Sequence, residues 1–179
     1  MTRKPDYGRA RQAALALLER HNISSAPVPV ERIAKALGVR VEYAPLDGDL
    51  SGLAHIKDGL PIVGVNALHS TTRQRFTLAH ELGHVQLHQP ELEAAVHVDR
   101  GSLRRDALAA AGVDPSEIEA NAFAAELLMP KHLLEAALAG RTVDLEDDKA
   151  VEALAKRFKV SEAAMRFRLE SAYLERLER

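Results

Sequence analysis

Apolar residues recur at helical spacing from Tyr7 to Glu19, where Ala10, Ala13, Ala14, Leu15, Leu17 and Leu18 suit an amphipathic helix that the run Ser24 to Pro29 breaks. A second, short helix is expected from the spacing of Val30, Ile33, Ala34 and Leu37, with Gly38 at its left-handed end. The pattern then changes to period two. VRVEY alternates, and SGLAHIK and LPIVGVN flank Asp58-Gly59, a pair that tolerates positive φ and closes hairpins. These segments predict a three-stranded, mostly antiparallel sheet. Helical periodicity returns at Thr71-Thr72-Arg73-Gln74, which reads as a capping box, and a second such signature is Asp114, Pro115 and Glu117, opening a helix that runs to Met129. Pro130 resets the chain. KHLLEAALA, DDKAVEALAKRF and SEAAMRFRLESAYLERLE then form three further helices, while Leu92 to Pro115 carries no legible pattern.

The fold class that follows is α+β, a small sheet packed on a helical core. Its 179 residues suffice for one domain with a sizeable core, divided here into 1–145 and a helical, helix-turn-helix-like extension over 146–179. The absence of cysteine excludes disulfides and thiolate metal sites and is compatible with a reducing cytoplasm. No secretory signal or membrane-length apolar run is legible, so a cytoplasmic protein without a membrane partner is expected. A formal net charge of −2 gives no global reason to bind nucleic acid.

The chemistry concentrates in RFTLAHELGHVQLH, Arg75 to His88. On a helix, His80 and His84 lie on one face about 5 to 6 Å apart, so both imidazoles can point at one cation. Glu81 projects to one side, where it can reach a water on that cation and take its proton, a division of roles that suits amide hydrolysis. Phe76, Leu78, Ala79, Leu82, Val85 and Leu87 make the helix apolar almost all round, so these polar residues are expected to be buried, and buried histidines need partners or a metal. Gly83, which costs about 1 kcal/mol relative to alanine in mid-helix, implies a close approach from another element. His88 stands about 12 Å along the axis from His80, too far to share an ion with it, and is expected at the helix end or on the substrate side. A glycine and a third histidine downstream of HExxH are missing, since Leu87 and Pro90 occupy those positions. A third ligand must therefore come from elsewhere. EIEANAFAAELLMP offers Glu117, Glu119 and Glu126 on different parts of a helix surface; an inward Glu117 would place Asn121 one turn along, able to hydrogen-bond a liganding imidazole.

Together, RFTLAHELGHVQLH and EIEANAFAAELLMP resemble the ImmA/IrrE family of metallopeptidases, and the resemblance extends over VERIAKALGVRVEY, SGLAHIKDGLPIVGVN and LAKRFKVSEAAMRFRL. It implies a zincin-like core in which His80, His84 and, by alignment on E-x-x-A-N-x-F-A, Glu117 bind Zn²⁺ (Mn²⁺ or another divalent ion being possible), with Glu81 as general base and Asn121 behind a ligand. If Glu117 only closes the capping box at Asp114, Glu119 becomes the ligand. The resemblance further implies a zinc metallo-endopeptidase whose substrate is a protein, a separate helix-turn-helix repressor, so that cleavage relieves transcription under stress or in mobile elements. The strand LPIVGVN could hold an extended substrate as a sheet edge. An oxyanion donor is also needed, with His55, His88, His97 and His132 as candidates. The rival reading is a metal-containing regulator that binds a repressor or DNA without hydrolysing anything. Direct DNA binding by the basic C-terminal residues Lys156, Arg157, Lys159, Arg166 and Arg168 is disfavoured by the interspersed Glu162, Glu170, Glu175 and Glu178.

Overall fold

The computed structural model describes residues 3–100, 114–141 and 143–177, with the side chains of 173–177 excepted. Residues 101–113, most of the stretch without legible pattern, and Glu178 lie outside the described residues. The described elements are α1 (Tyr7–Arg20), α2 (Val30–Ala36), β1 (Arg40–Ala44), β2 (Gly52–Lys57), β3 (Leu60–Asn66), α3 (Thr71–Leu87), α4 (Gln89–Ala94), β4 (His97–Asp99), α5 (Pro115–Leu128), α6 (Lys131–Leu138), α7 (Asp148–Phe158) and α8 (Glu162–Leu177). The α+β class is as the hydrophobic pattern predicts.

The sheet differs from the expected one. Its order is β1-β3-β2-β4, with β2 antiparallel to both β3 and β4 but β1 parallel to β3. The hairpin is as read, with Lys57 opposite Leu60 and positive φ at Asp58 (52°) and Gly59 (76°). Alternation in VRVEY specifies a strand but not its direction, because a period of two reads alike for parallel and antiparallel pairing. The fourth strand has only three residues, too few for a periodicity to register. This order also corrects the expected substrate edge: β3 is paired on both sides, and β1 and β4 are the edges.

Beneath the sheet lies α3, whose residues Thr77 to Val85 are all buried. Its start differs in detail from the expected box. Ser70 is the cap, its Oγ accepting from the Arg73 backbone amide at 3.4 Å, while the Gln74 side-chain Nε2 donates to the carbonyls of Ala67 and His69. Antiparallel expectations aside, the second signature holds at its first two positions: Asp114 caps α5 by accepting from the Ser116 amide at 2.9 Å, and Pro115 is the first helical residue. Glu117 is therefore not needed for the cap.

Helix α5 crosses α3 at Gly83. A Cβ there would stand 3.0 Å from the Ala120 Cα and 3.2 Å from both the Ala120 carbonyl oxygen and Phe123 Cδ1. The mid-helix glycine thus brings the two helices that carry the polar residues into backbone contact. Gly83→Ala is expected to destabilise the fold by about 1–3 kcal/mol from overpacking, exceeding the roughly 1 kcal/mol gained in helix propensity. Chemical unfolding checks this, and an unchanged or raised midpoint would mean that α5 yields freely. A second close approach occurs at Gly52, where a Cβ would lie 2.5 Å from Thr77 Cγ2 and 3.0 Å from Glu81 Oε1, pressing the start of β2 onto α3 beside Glu81.

Candidate metal centre

Three elements converge on one buried cluster. The α3 residues His80, Glu81 and His84 meet Glu117 and Asn121 from α5 and His97 and Asp99 from β4. The Nε2 atoms of His80 and His84 are 3.2 Å apart, and the Glu117 carboxylate reaches them at 3.4 Å and 3.3 Å respectively. Ligands bound tetrahedrally at about 2.1 Å are separated by about 3.4 Å along the edges of the tetrahedron. The three groups therefore already stand at the spacing of one coordination shell. Asn121 Oδ1 lies 3.1 Å from His80 Nδ1. A carboxamide oxygen can only accept, so His80 carries its proton on Nδ1 and directs Nε2 inward.

Each of the three carboxylates on the second motif goes to a different place. Glu117 joins the histidines; Glu119 receives Arg3, the Asp6 amide and His88; Glu126 pairs with Arg168 of α8 at 2.5 Å and accepts from the Lys131 amide. Glu119 is thus occupied by Arg3, the Asp6 amide and His88 rather than by His80 and His84. Glu81 is wholly buried, and neither of its carboxylate oxygens has a hydrogen-bond partner among the described residues. Such a group costs several kcal/mol if it is left charged and unsolvated. Two converging imidazole nitrogens, a carboxylate and an orphaned second carboxylate fit a divalent cation carrying a water, and the fit rests on these donors.

Residues 34–170 match the profile of the IrrE N-terminal-like domain, peptidase family M78. The chain belongs to that family. No curated protein matches it. Among solved structures, a Mycobacterium tuberculosis transcriptional regulator is similar over 88% of this chain and 45% of its own, with 15% identity and a TM-score of 0.54. This chain thus spans less than half of that regulator's length, and at this identity the likeness concerns the fold alone. No helix among the described residues is long and apolar enough to cross a membrane.

The electrostatics of this IrrE-like centre follow from burial opposed by close charges. Burial pushes the His80 imidazole down, but its hydrogen bond with Glu117 and the charges of Glu81, Asp99 and Glu117 outweigh it and lift it to about 9. Burial takes His84 down to about 4, with Glu117 only partly offsetting it. Burial lifts the Glu81 carboxyl to about 8, opposed by His80 and reinforced by Asp99 and Glu117. For Glu117, burial acts upward, yet the two histidines overcome it and hold the carboxyl well below the usual carboxylate range.

These shifts set a pH dependence. The folded-state values of His80 and Glu81 lie above their ordinary 6.5 and 4.5, so the metal-free fold holds both protons more tightly than the unfolded chain. The stability they contribute is present at low pH and is lost as pH rises through about 8 for Glu81 and about 9 for His80. A cation takes a lone pair only from neutral imidazole, so binding expels the His80 proton and strengthens with pH. The gap in unfolding midpoint between metal-loaded and metal-free protein should widen from about pH 6.5 to about 9, read by calorimetry. A gap that narrows over this range contradicts the assignment.

Sequence reasoning named His97 only as one of four candidate oxyanion donors and did not place it in the metal cluster. Its Nε2 lies 3.3 Å from Glu117 Oε1, and its ring centroid is 3.9 Å from that of His84. The signal was the triplet His97-Val98-Asp99, whose alternation puts His97 and Asp99 on one strand face. His55 and His132 lie elsewhere, with His55 Nδ1 bonded to the Leu92 carbonyl oxygen and His132 exposed on α6. His88 caps the end of α3 but is buried behind His84 rather than facing a substrate.

Proposed function

We propose that the chain is a zinc-dependent endopeptidase that hydrolyses a peptide bond in a protein, a helix-turn-helix repressor supplied as a separate polypeptide. The observation that carries this reading is the buried, unpartnered Glu81 carboxylate beside His80, His84 and Glu117. His80, His84 and Glu117 would hold the ion, for which two imidazoles and one carboxylate suit zinc, with manganese the next candidate. A cation held there would supply Lewis acidity to a peptide carbonyl and to a water. Glu81 accepts the proton of the attacking water and delivers it to the leaving amine nitrogen as the C–N bond breaks. Neutral His97 donates Nε2–H to the carbonyl oxygen as it becomes negative. Asn121 keeps His80 in its liganding tautomer.

The edge strand β4 is the natural seat for an extended substrate, since it borders the cluster and its outer backbone groups are unpaired within the sheet. A protein substrate, rather than DNA, is supported by the fate of the C-terminal cations. Lys156 pairs with Glu152, Arg166 with Asp148 and Arg168 with Glu126, leaving little net positive field on α7 and α8. The test is incubation of the zinc-loaded protein with a helix-turn-helix repressor supplied as a separate polypeptide. Cleavage that a chelator stops and zinc restores supports the proposal, whereas an intact repressor that still binds the protein favours the rival.

One observation speaks for that rival, a regulator that keeps the metal without turnover. His97 stands close enough to serve as a fourth protein ligand, and four protein ligands close a zinc site.

A further inference from the structure

Behind the centre, a chain of hydrogen bonds runs from the N-terminal segment to His84. Arg3 donates to Glu119 from Nη1 at 2.8 Å and Nη2 at 3.0 Å, and the Asp6 amide donates to Oε1 at 2.7 Å. Glu119 Oε2 lies 2.8 Å from His88 Nε2, and His88 Nδ1 lies 3.2 Å from His84 Nδ1. His84, His88 and Glu119 are all buried, so no solvent competes for the bonds among these three.

With Glu119 ionised and His88 neutral, one proton order satisfies every bond of this chain. Arg3 and the Asp6 amide are donors only, so the Glu119 oxygens are acceptors and His88 must present N–H at Nε2. A neutral His88 then has its lone pair on Nδ1, and it can bond His84 only by accepting from a His84 Nδ1–H. That leaves the His84 lone pair on Nε2, which is the atom 3.3 Å from Glu117 and 3.2 Å from His80 Nε2.

We propose that Glu119 and His88 are positioning residues that hold His84 in the tautomer able to ligate the cation, with Arg3 and the Asp6 amide fixing the polarity of the relay. The inference rests on the metal-site reading above and adds a tether between that site and the first turn of the chain. It also explains why α3 continues to a buried histidine eight positions beyond His80, which no single ion could share with it. Asn121 does for His80 in one step what Glu119 does for His84 in two.

The decisive variant is Glu119→Gln, which preserves size but not polarity. Its oxygen, at the Oε1 position, keeps the Asp6 amide and Arg3 Nη1 while the Arg3 Nη2 bond is lost, so its NH₂ faces His88 and donates to Nε2. His88 must then place its proton on Nδ1, and His84 must move its own to Nε2, where the ligand lone pair is needed. Zinc affinity, measured by chelator competition on the full chain, is expected to fall 10–100-fold. The visible bands of the cobalt-substituted protein should change, and nitrogen NMR of the imidazoles should show the His84 proton on Nε2. A control restores the order: in His88→Gln one amide end donates to Glu119 and the other accepts from His84, so affinity stays within a few-fold of wild type, whereas His88→Leu loses as much as Glu119→Gln. The pair of His88 variants decides the matter even if Glu119→Gln does not fold. Equal zinc affinity and unchanged cobalt bands in Glu119→Gln or His88→Leu overturn the relay while leaving the metal centre standing. A wild-type chain that binds neither zinc nor cobalt overturns both.

Discussion

Glu81→Gln is expected to lower turnover of the proposed protein substrate by about 10²–10⁴, the usual contribution of a general base, while leaving cation binding intact. Glutamine fills the same buried volume beside Thr77 and Gly52, so packing is kept, but an amide cannot accept the water's proton. The metal ligands are untouched, and zinc content by elemental analysis should match the wild type. Stability should move the opposite way to activity. Burial raises the wild-type Glu81 carboxyl to about 8, so ionising it above that pH destabilises the metal-free fold, and the uncharged glutamine escapes this cost. Metal-free Glu81→Gln should therefore unfold at a higher temperature than wild type near pH 9. Retained cleavage in this variant would falsify the assignment of Glu81 as base.

For His97→Ala, turnover is expected to fall by about 10²–10³, the typical loss of one oxyanion donor, with zinc affinity within a few-fold of wild type. Burial pushes the His97 imidazole down more than Glu117 raises it, so the ring is neutral and carries a single N–H. Its Nε2 is buried and lacks any hydrogen-bond partner among the described residues, although Glu117 Oε1 is only 3.3 Å away. With its N–H on Nε2, such a ring would be available to charge that appears only during reaction. The opposite result is equally informative. Should the variant lose zinc affinity more than tenfold, His97 is a fourth ligand, the shell is closed, and the non-hydrolytic reading gains over the peptidase.

The contrast between local and global information runs through particular residues. The sequence by itself determined the helix that carries His80, Glu81 and His84, because spacing of four is a property of one helix and needs no other element. It determined that this helix is buried, since its apolar residues wrap around it, and that something approaches Gly83. The Asp58-Gly59 hairpin and the Asp114-Pro115 helix start were legible for the same reason, each being dictated by backbone preferences within a few residues.

What only the tertiary structure decided are the contacts between elements far apart in the chain. Parallel pairing of β1 with β3 was invisible because alternation carries no direction. The choice between Glu117 and Glu119 was open in the helix pattern alone, since both were candidate carboxylates on α5. In the structure the two part company: Glu117 meets His80 and His84, and Glu119 meets Arg3, Asp6 and His88. His97 entered the cluster through a three-residue strand whose place beside β2 depends on sheet pairing, and pairing partners are fixed by loop closure and packing rather than by local preference. A helix carries its own geometry in its sequence; a site assembled from α3, α5 and β4 exists only once the chain has closed on itself.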